Sequence, residues 1–306
     1  MKRRKFLTKV PLAASALMLG GVATNILSAA VPQDKSDNRK KKLLLTVAHI
    51  TDVHLPADPK VMERFVKCLK EIKTKKVDFF LNTGDSIMAV DRDNSTRQEV
   101  YDQWKAWDTC IKEIADYDMY SCVGNHDIWW AGGKADEMYG VPYAAKRLHM
   151  PNRYYSAKKG KWHFIMLDGN NSGVSLDPEQ MNWLKQELEN IPQGEYALLM
   201  SHYPILTVTG SWEGGQHKDH VALKDLFYKH KDKVKGCLSG HQHLLDRAWY
   251  NDVYYFCNGA MSGFWWGEGD KRSAKPFYYQ ETPPGYAILK FYDDGSFENE
   301  YIVHHY

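Results

Sequence analysis

Met119-Tyr120-Ser121-Cys122-Val123-Gly124-Asn125-His126-Asp127 joins an apolar, β-rich run to a glycine turn carrying an amide, an imidazole and a carboxylate. With average residue usage, a given tetrapeptide such as Gly-Asn-His-Asp arises by chance about once in 10⁵ positions. The same arrangement recurs along the chain. Leu43 to Ile50 runs into Asp52-Val53-His54, and Val77 to Leu81 runs into Gly84-Asp85. Tyr196 to Met200 delivers His202, and Val234 to Leu238 delivers Gly240-His241-Gln242-His243. Helical patterns fill the intervals, around 60–75, 96–115, 178–189 and 219–231. Strands alternating with helices predict an α/β protein with a largely parallel sheet. Sheets of that kind bind ligands beyond the carboxyl ends of their strands, so five blocks at five strand exits are expected to converge.

The residue types suit divalent metals. Imidazole accepts zinc, iron or manganese, carboxylate and amide oxygens accept the harder ions, and a carboxylate can bridge two ions. Gly84, Gly124 and Gly240 have a backbone reason as well, because a sharp turn off a strand often needs positive φ or close chain approach. Taken singly, Asp-x-His or Gly-Asp is common as a capped loop or a solvated pair; order and placement are what make the set specific.

On these five blocks, in this order from Asp52 to His243, the chain resembles the calcineurin-like metallophosphoesterases, and a secreted bacterial member in particular. The resemblance implies a four-layer α/β/β/α sandwich of two mixed sheets. It also implies that Asp52, His54 and His243 hold one metal, that Asn125, His202 and His241 hold a second, and that Asp85 bridges them. Two cations about 3.5–4 Å apart polarise phosphoryl oxygens and lower the pKa of a water that attacks phosphorus. A proton donor at the departing ester oxygen adds a factor of order 10²–10⁴. His126 is the candidate donor, with Asp127 expected to accept its other ring N–H and aim it; the alternative is that His126 only packs in the turn.

The sequence departs from some relatives in this superfamily. Purple acid phosphatases carry a ferric-binding tyrosine shortly after the Gly-Asp block, whereas Asp85 is followed here by Ser86-Ile87-Met88. Cyclic nucleotide phosphodiesterases usually carry a second aspartate where Met88 stands, which weighs against that activity without removing it.

Lys2-Arg3-Arg4-Lys5-Phe6-Leu7-Thr8-Lys9, a mildly apolar stretch over 10–27 and the small residues Ser28-Ala29-Ala30 read as an export signal. The paired arginines resemble a twin-arginine signal, with the ordinary secretory route as the alternative. The expected organisation is a signal over 1–30, a polar linker over 31–42 and one phosphoesterase domain over 43–306. Periplasmic or extracellular placement follows, with export machinery as a partner and membrane contact only if the segment stays uncleaved. Those first thirty residues carry five basic side chains and no acid, so without them the formal charge falls from +2 to −3. No nucleic-acid partner is expected.

The five cysteines lack zinc-type spacing and need no disulfides. His217 and His220 lie in a loop after His202 that is placed to overhang the metals. Aromatic residues make up 13% of the chain. Trp129, Trp130, Trp212 and Phe264-Trp265-Trp266 flank the motifs, and packing, a lid, or stacking on a base or sugar ring are all open to them. Ser262 to Trp266, with Pro283-Pro284-Gly285-Tyr286, resembles a segment of secreted bacterial members of the superfamily.

The chain is thus expected to be a hydrolase of small phosphomonoesters or phosphodiesters that uses two divalent ions, manganese, iron or zinc. The alternatives are a nucleotide pyrophosphatase or cyclic nucleotide phosphodiesterase, and, outside enzymes, a metal-free binding scaffold.

Overall fold

Alternation along the strands decides the layering. In β1 (Leu43–Ile50) Ala48 and Ile50 face one core while Val47 faces another, and in β2 (Phe79–Asn82) Phe80 and the pair Phe79 and Leu81 divide the same way. Both faces of these strands are therefore covered, as period-two side-chain geometry requires when alternate residues are all apolar. The computed structural model describes residues 41–171, 173–210, 214–267 and 282–305. The expected export signal, linker residues 31–40 and Trp212 lie outside the described residues.

After β1, α1 (Pro59–Lys73) begins at Asp58, whose carboxylate accepts from the N–H groups of Lys60 and Val61. Such a cap satisfies helix-terminal donors that have no partner within the helix. After β2, α2 (Arg97–Cys110) starts on a capping box between Thr96 and Glu99 and tightens into a 3-10 turn over Ile111–Ile114. Then come β3 (Met119–Ser121), α3 (Gly140–Arg147), β4 (Tyr155–Lys159), β5 (Trp162–Met166), α4 (Pro178–Asn190), β6 (Tyr196–Met200), α5 (His220–Lys229) and β7 (Val234–Ser239). The chain ends with β8 (Asp246–Tyr250), β9 (Val253–Cys257), β10 (Gly285–Tyr292) and β11 (Phe297–Val303).

Two mixed sheets result, ordered β11-β10-β1-β2-β3 and β4-β5-β6-β7-β9-β8. In the first, β1, β2 and β3 run parallel while β10 is antiparallel to both its neighbours, β1 and β11; in the second, β5, β6, β7 and β9 run parallel between the antiparallel edges β4 and β8. The residue pattern alone pointed to one largely parallel sheet. The antiparallel strands change that, because they bear no ligand block and carry no mark in the motif pattern.

Helices α1 to α3 cover the first sheet through Phe65, Leu69, Trp104, Trp107 and Ala144. Helices α4 and α5 cover the second through Leu184, Leu188, Leu223 and Phe227. Between the sheets lie Val47, Leu81, Leu289 and Phe291 from one side and Trp162, Phe164, Leu198, Met200 and Leu238 from the other. This is the four-layer α/β/β/α sandwich. All five cysteines are buried and free. No helix among the described residues is long and apolar enough to cross a membrane.

Candidate metal centre

Parallel neighbours end together, so β1, β2 and β3 bring Asp52, His54, Asp85 and Asn125 to one end of the first sheet, and β6 and β7 bring His202, His241 and His243 to the facing end of the second. The sheets meet there. Nε2 of His54 lies 3.0 Å from Nε2 of His243, and Oδ1 of Asp52 lies 3.4 Å from the same His243 nitrogen. On the other side, Nε2 of His202 lies 3.2 Å from Oδ2 of Asp85, 3.1 Å from Oδ1 of Asn125 and 3.2 Å from Nδ1 of His241. Asp85 also stands 3.8 Å from Nε2 of His54, between the two groups. All seven expected metal residues are thus brought together, as two clusters sharing one carboxylate.

Protons on the ring nitrogens can be assigned from their partners. Nδ1 of His54 faces the carbonyl of Met88 at 3.1 Å, and Nδ1 of His202 faces the carbonyl of Thr83 at 2.9 Å. A carbonyl only accepts, so each Nδ1 carries a hydrogen and Nε2 is the ring atom each histidine turns into the site. Burial pushes the pKa of His54 and of His241 down to about 3, which keeps those imidazoles neutral. Burial acts against charge on Asp52 too, yet the hydrogen bond and charge of His243 hold it well below the usual carboxylate range, and His202 does the same for Asp85. Asp85 in turn raises His202 to about 9 against its burial. Among the described residues, the ion-pair partners of Asp52 and Asp85 are histidines. Two buried carboxylates ringed by imidazole nitrogens form an environment that calls for positive charge, and this oxygen and nitrogen donor set fits a pair of divalent ions.

The backbone is bent to achieve this. Asp52, His54, Asp85, His241 and His243 have φ of 49°, 44°, 52°, 69° and 50°, all left-handed and none of them glycine. Each such residue costs about 1–3 kcal/mol, and strain of this kind collects where a site over-determines the chain. The turns are also crowded. A Cβ on Gly240 would stand 1.9 Å from Oγ1 of Thr51 and 2.2 Å from Oδ2 of Asp52, and one on Gly124 would stand 2.1 Å from Oδ1 of Asp85. The N–H of His241 donates to both oxygens of Asp52 at 3.0 Å, and the N–H of His126 donates to Oδ1 of Asp85 at 2.8 Å.

Asp127 does not do what the sequence suggested. Its buried carboxylate accepts backbone N–H groups from Gly124 at 2.9 Å, Asp85 at 3.0 Å, Ser86 at 2.8 Å and Ile87 at 3.3 Å, so it stitches the β2 and β3 exit turns together. Burial and the charge of Asp85 raise its pKa to about 7 while these donors pull it back. The partner of His126 is instead Asp91, whose Oδ1 lies 2.7 Å from Nδ1. Against burial, that hydrogen bond raises the His126 pKa. Asp91 belongs to no block, and no sequence signal marked it. His217 is buried, bonded to Ser201 at 2.9 Å and Asp219 at 3.1 Å, and supports the β6 exit from behind instead of overhanging the metals.

The aromatic residues divide likewise. Trp129 is core, its indole N–H donating to the carbonyl of Ser95 at 2.9 Å, and Trp266 is core with its N–H on the carbonyl of Val53 at 2.7 Å. Trp130 is exposed and stands edge-on to Tyr139. Among the described tryptophans beside the motifs, Trp265 alone touches the cluster, its ring centroid 3.7 Å from that of His54.

The family model described as "Calcineurin-like phosphoesterase" matches residues 45–245. A probable cyclic nucleotide phosphodiesterase of a Synechococcus strain is 25% identical over 273 residues, 84% of this chain and 92% of that protein. The 3',5'-cyclic adenosine monophosphate phosphodiesterase of Escherichia coli K12 is 24% identical over 268 residues, 83% of this chain and 88% of that protein. Among solved structures, a dimetal phosphatase from Danio rerio superposes with a TM-score of 0.57 at 13% identity, covering 86% of this chain and all of that one, and so shares the fold. With the family model matching well over half of its length, the chain belongs to the calcineurin-like phosphoesterases.

Proposed function

We propose that the protein hydrolyses a small phosphomonoester or phosphodiester with two divalent ions, manganese, iron or zinc. Asp52, His54 and His243 would hold one ion, Asn125, His202 and His241 the other, and Asp85 both. The single observation that supports this most is the facing pair of clusters, in which His54 and His202, each held through Nδ1 by a carbonyl, turn Nε2 toward a shared buried carboxylate. When bound, such ions withdraw charge from phosphoryl oxygens and acidify a water for attack on phosphorus.

The chain's own side chains supply the rest. His126, protonated and aimed through Nδ1 by Asp91, gives its Nε2 proton to the departing ester oxygen. Asp127 is a positioning residue that fixes the turns bearing Asp85 and Asn125. Met88 lends its carbonyl to His54. The names of the two bacterial relatives favour a diester, whereas the aspartate missing at Met88 weighs against a cyclic nucleotide without removing it. Rates on bis(p-nitrophenyl) phosphate and p-nitrophenyl phosphate with added manganese separate these. Chelator-sensitive hydrolysis of either supports the proposal, and refilled protein inert on both overturns it in favour of a scaffold.

The basic start and small-residue end of residues 1–30 support export to the periplasm or beyond. Fractionation of cells expressing the full chain, and of cells expressing Arg3→Lys/Arg4→Lys, tests that placement and the twin-arginine route.

A further inference from the structure

Residues 260–267 clasp the β1 exit turn. The N–H of Met261 donates to the carbonyl of Thr51 at 2.9 Å, Oγ of Ser262 donates to the carbonyl of Asp52 at 2.8 Å, and the indole of Trp266 donates to the carbonyl of Val53 at 2.7 Å. From the outside, Arg64 donates to the carbonyl of Trp266 at 2.8 Å. Between these anchors the backbone adopts φ of 56° at Trp265 and 64° at Trp266, two successive left-handed residues where glycine would be the unstrained choice. Burial and a hydrogen bond account for Trp266. Among the described residues no hydrogen bond does the same for Trp265, which is 36% exposed.

Its placement does. The ring lies 3.7 Å from His54 at an interplanar angle of 31°, 5.3 Å from His243 and 5.5 Å from His126, the last edge-on at 79°. His126 is the only one of these three whose proposed task is to meet the leaving group, so a departing ester oxygen at His126 emerges beside the exposed part of the indole. We infer that Trp265 is a specificity-determining platform on which a planar ring in the leaving group stacks, making the preferred substrate an ester of a nucleoside or a similar ring-bearing alcohol. This rests on the reading of His126 as donor. Stacking of a base on an aromatic side chain is tolerant of base identity, so purine and pyrimidine esters are both expected to be accepted.

The test uses adenosine 5'-monophosphate against ribose 5-phosphate, which carries a hydroxyl in place of the base at the anomeric carbon, on manganese-loaded protein. Calorimetric titration gives the Kd ratio and steady-state kinetics gives the kcat/KM ratio. Wild type is expected to favour the nucleotide by about tenfold, Trp265→Phe to keep most of that preference, and Trp265→Leu and Trp265→Gly to bring it close to one. Glycine accommodates the left-handed backbone, so the second variant guards against misfolding as the cause. A purely supporting role for the ring against His54 would lower both ligands together with their ratio unchanged, which overturns the inference. So does a wild type indifferent to the base. Base-dependent binding without any hydrolysis would uphold the platform and instead sink the catalytic proposal.

Discussion

Oδ1 of Asp91 stands 2.7 Å from Nδ1 of His126, and this contact holds an imidazole that clusters with His54 and Asp85. Replacing His126 by Ala is expected to lower kcat by about 10²–10⁴ with metal content nearly intact. Asp91→Asn keeps the geometry and loses the charge, so a smaller loss of about tenfold to a hundredfold is expected, again without loss of metal. The pH profile carries the sign. A donor must hold its proton, so kcat falls as pH rises through the His126 pKa, and Asp91 raises that pKa. Asp91→Asn should therefore move the alkaline fall of kcat to lower pH, and an unmoved profile would assign Asp91 to packing alone.

Asp127 predicts a different phenotype. Its two oxygens serve four backbone N–H groups, and an amide offers only one accepting oxygen in their place. Leaving buried donors unmet costs about 1–3 kcal/mol each. Asp127→Asn should lower the urea unfolding free energy by about 2 kcal/mol or more and weaken metal retention. Unchanged stability with an altered pH profile would return Asp127 to the role of proton-donor partner.

Metal removal should be felt by the whole fold. Five cluster residues in left-handed conformations and two buried carboxylates are unfavourable without compensating cations. An ion present at a hundred times its dissociation constant stabilises by about 2.7 kcal/mol, which for a domain of this size corresponds to roughly 5–10 °C in Tm. Calorimetry with and without chelator should show a fall of that order, reversed by manganese. A chelator-insensitive Tm would mean that the cluster is stable as protein alone.

Beneath the site, His49 predicts the acid limit of stability. Its Nδ1 accepts from the amide of Asn258 at 2.7 Å, so its Nε2 donates to Oγ1 of Thr83 at 2.9 Å, and the Thr83 carbonyl holds His202. Burial pushes its pKa down to about 3, whereas an unfolded histidine titrates near 6.5. Between those values the unfolded chain binds a proton that the folded chain refuses. The contribution is therefore fully present above pH about 6.5 and is lost at about 1.4 kcal/mol per unit as pH falls toward 3. In chelator-treated protein, His49→Gln should flatten the slope of unfolding free energy between pH 6 and 4 by about one proton. Equal slopes would show that His49 accepts its proton in the folded state.

The strands that deliver ligands were legible because each couples an apolar run to a reactive side chain at its end, as β1 does with Asp52 and β7 with His241. Strands without that coupling were not. Tyr155–Lys159 is a half-exposed edge with two lysines, Asp246–Tyr250 is a largely exposed edge, and α3 is only eight residues long and contains a proline. Adjacency in sequence misled at Asp127. In a tight turn the side chain next to His126 points back into the turn, and the carboxylate that reaches the ring comes from a loop 35 residues earlier. Loop placement depends on tertiary packing, here the N–H of Val90 on the carbonyl of His126 at 3.0 Å, and leaves no periodic trace. The same holds for Trp265, visible as an aromatic beside a motif but not as the one that meets His54.

The most direct test counts ions. Full-length protein saturated with manganese and freed of excess is expected to retain close to two equivalents per chain by plasma mass spectrometry, falling in Asp85→Asn, which removes the shared charge. Less than one equivalent in the wild type at saturation would contradict the two-ion centre on which the account rests.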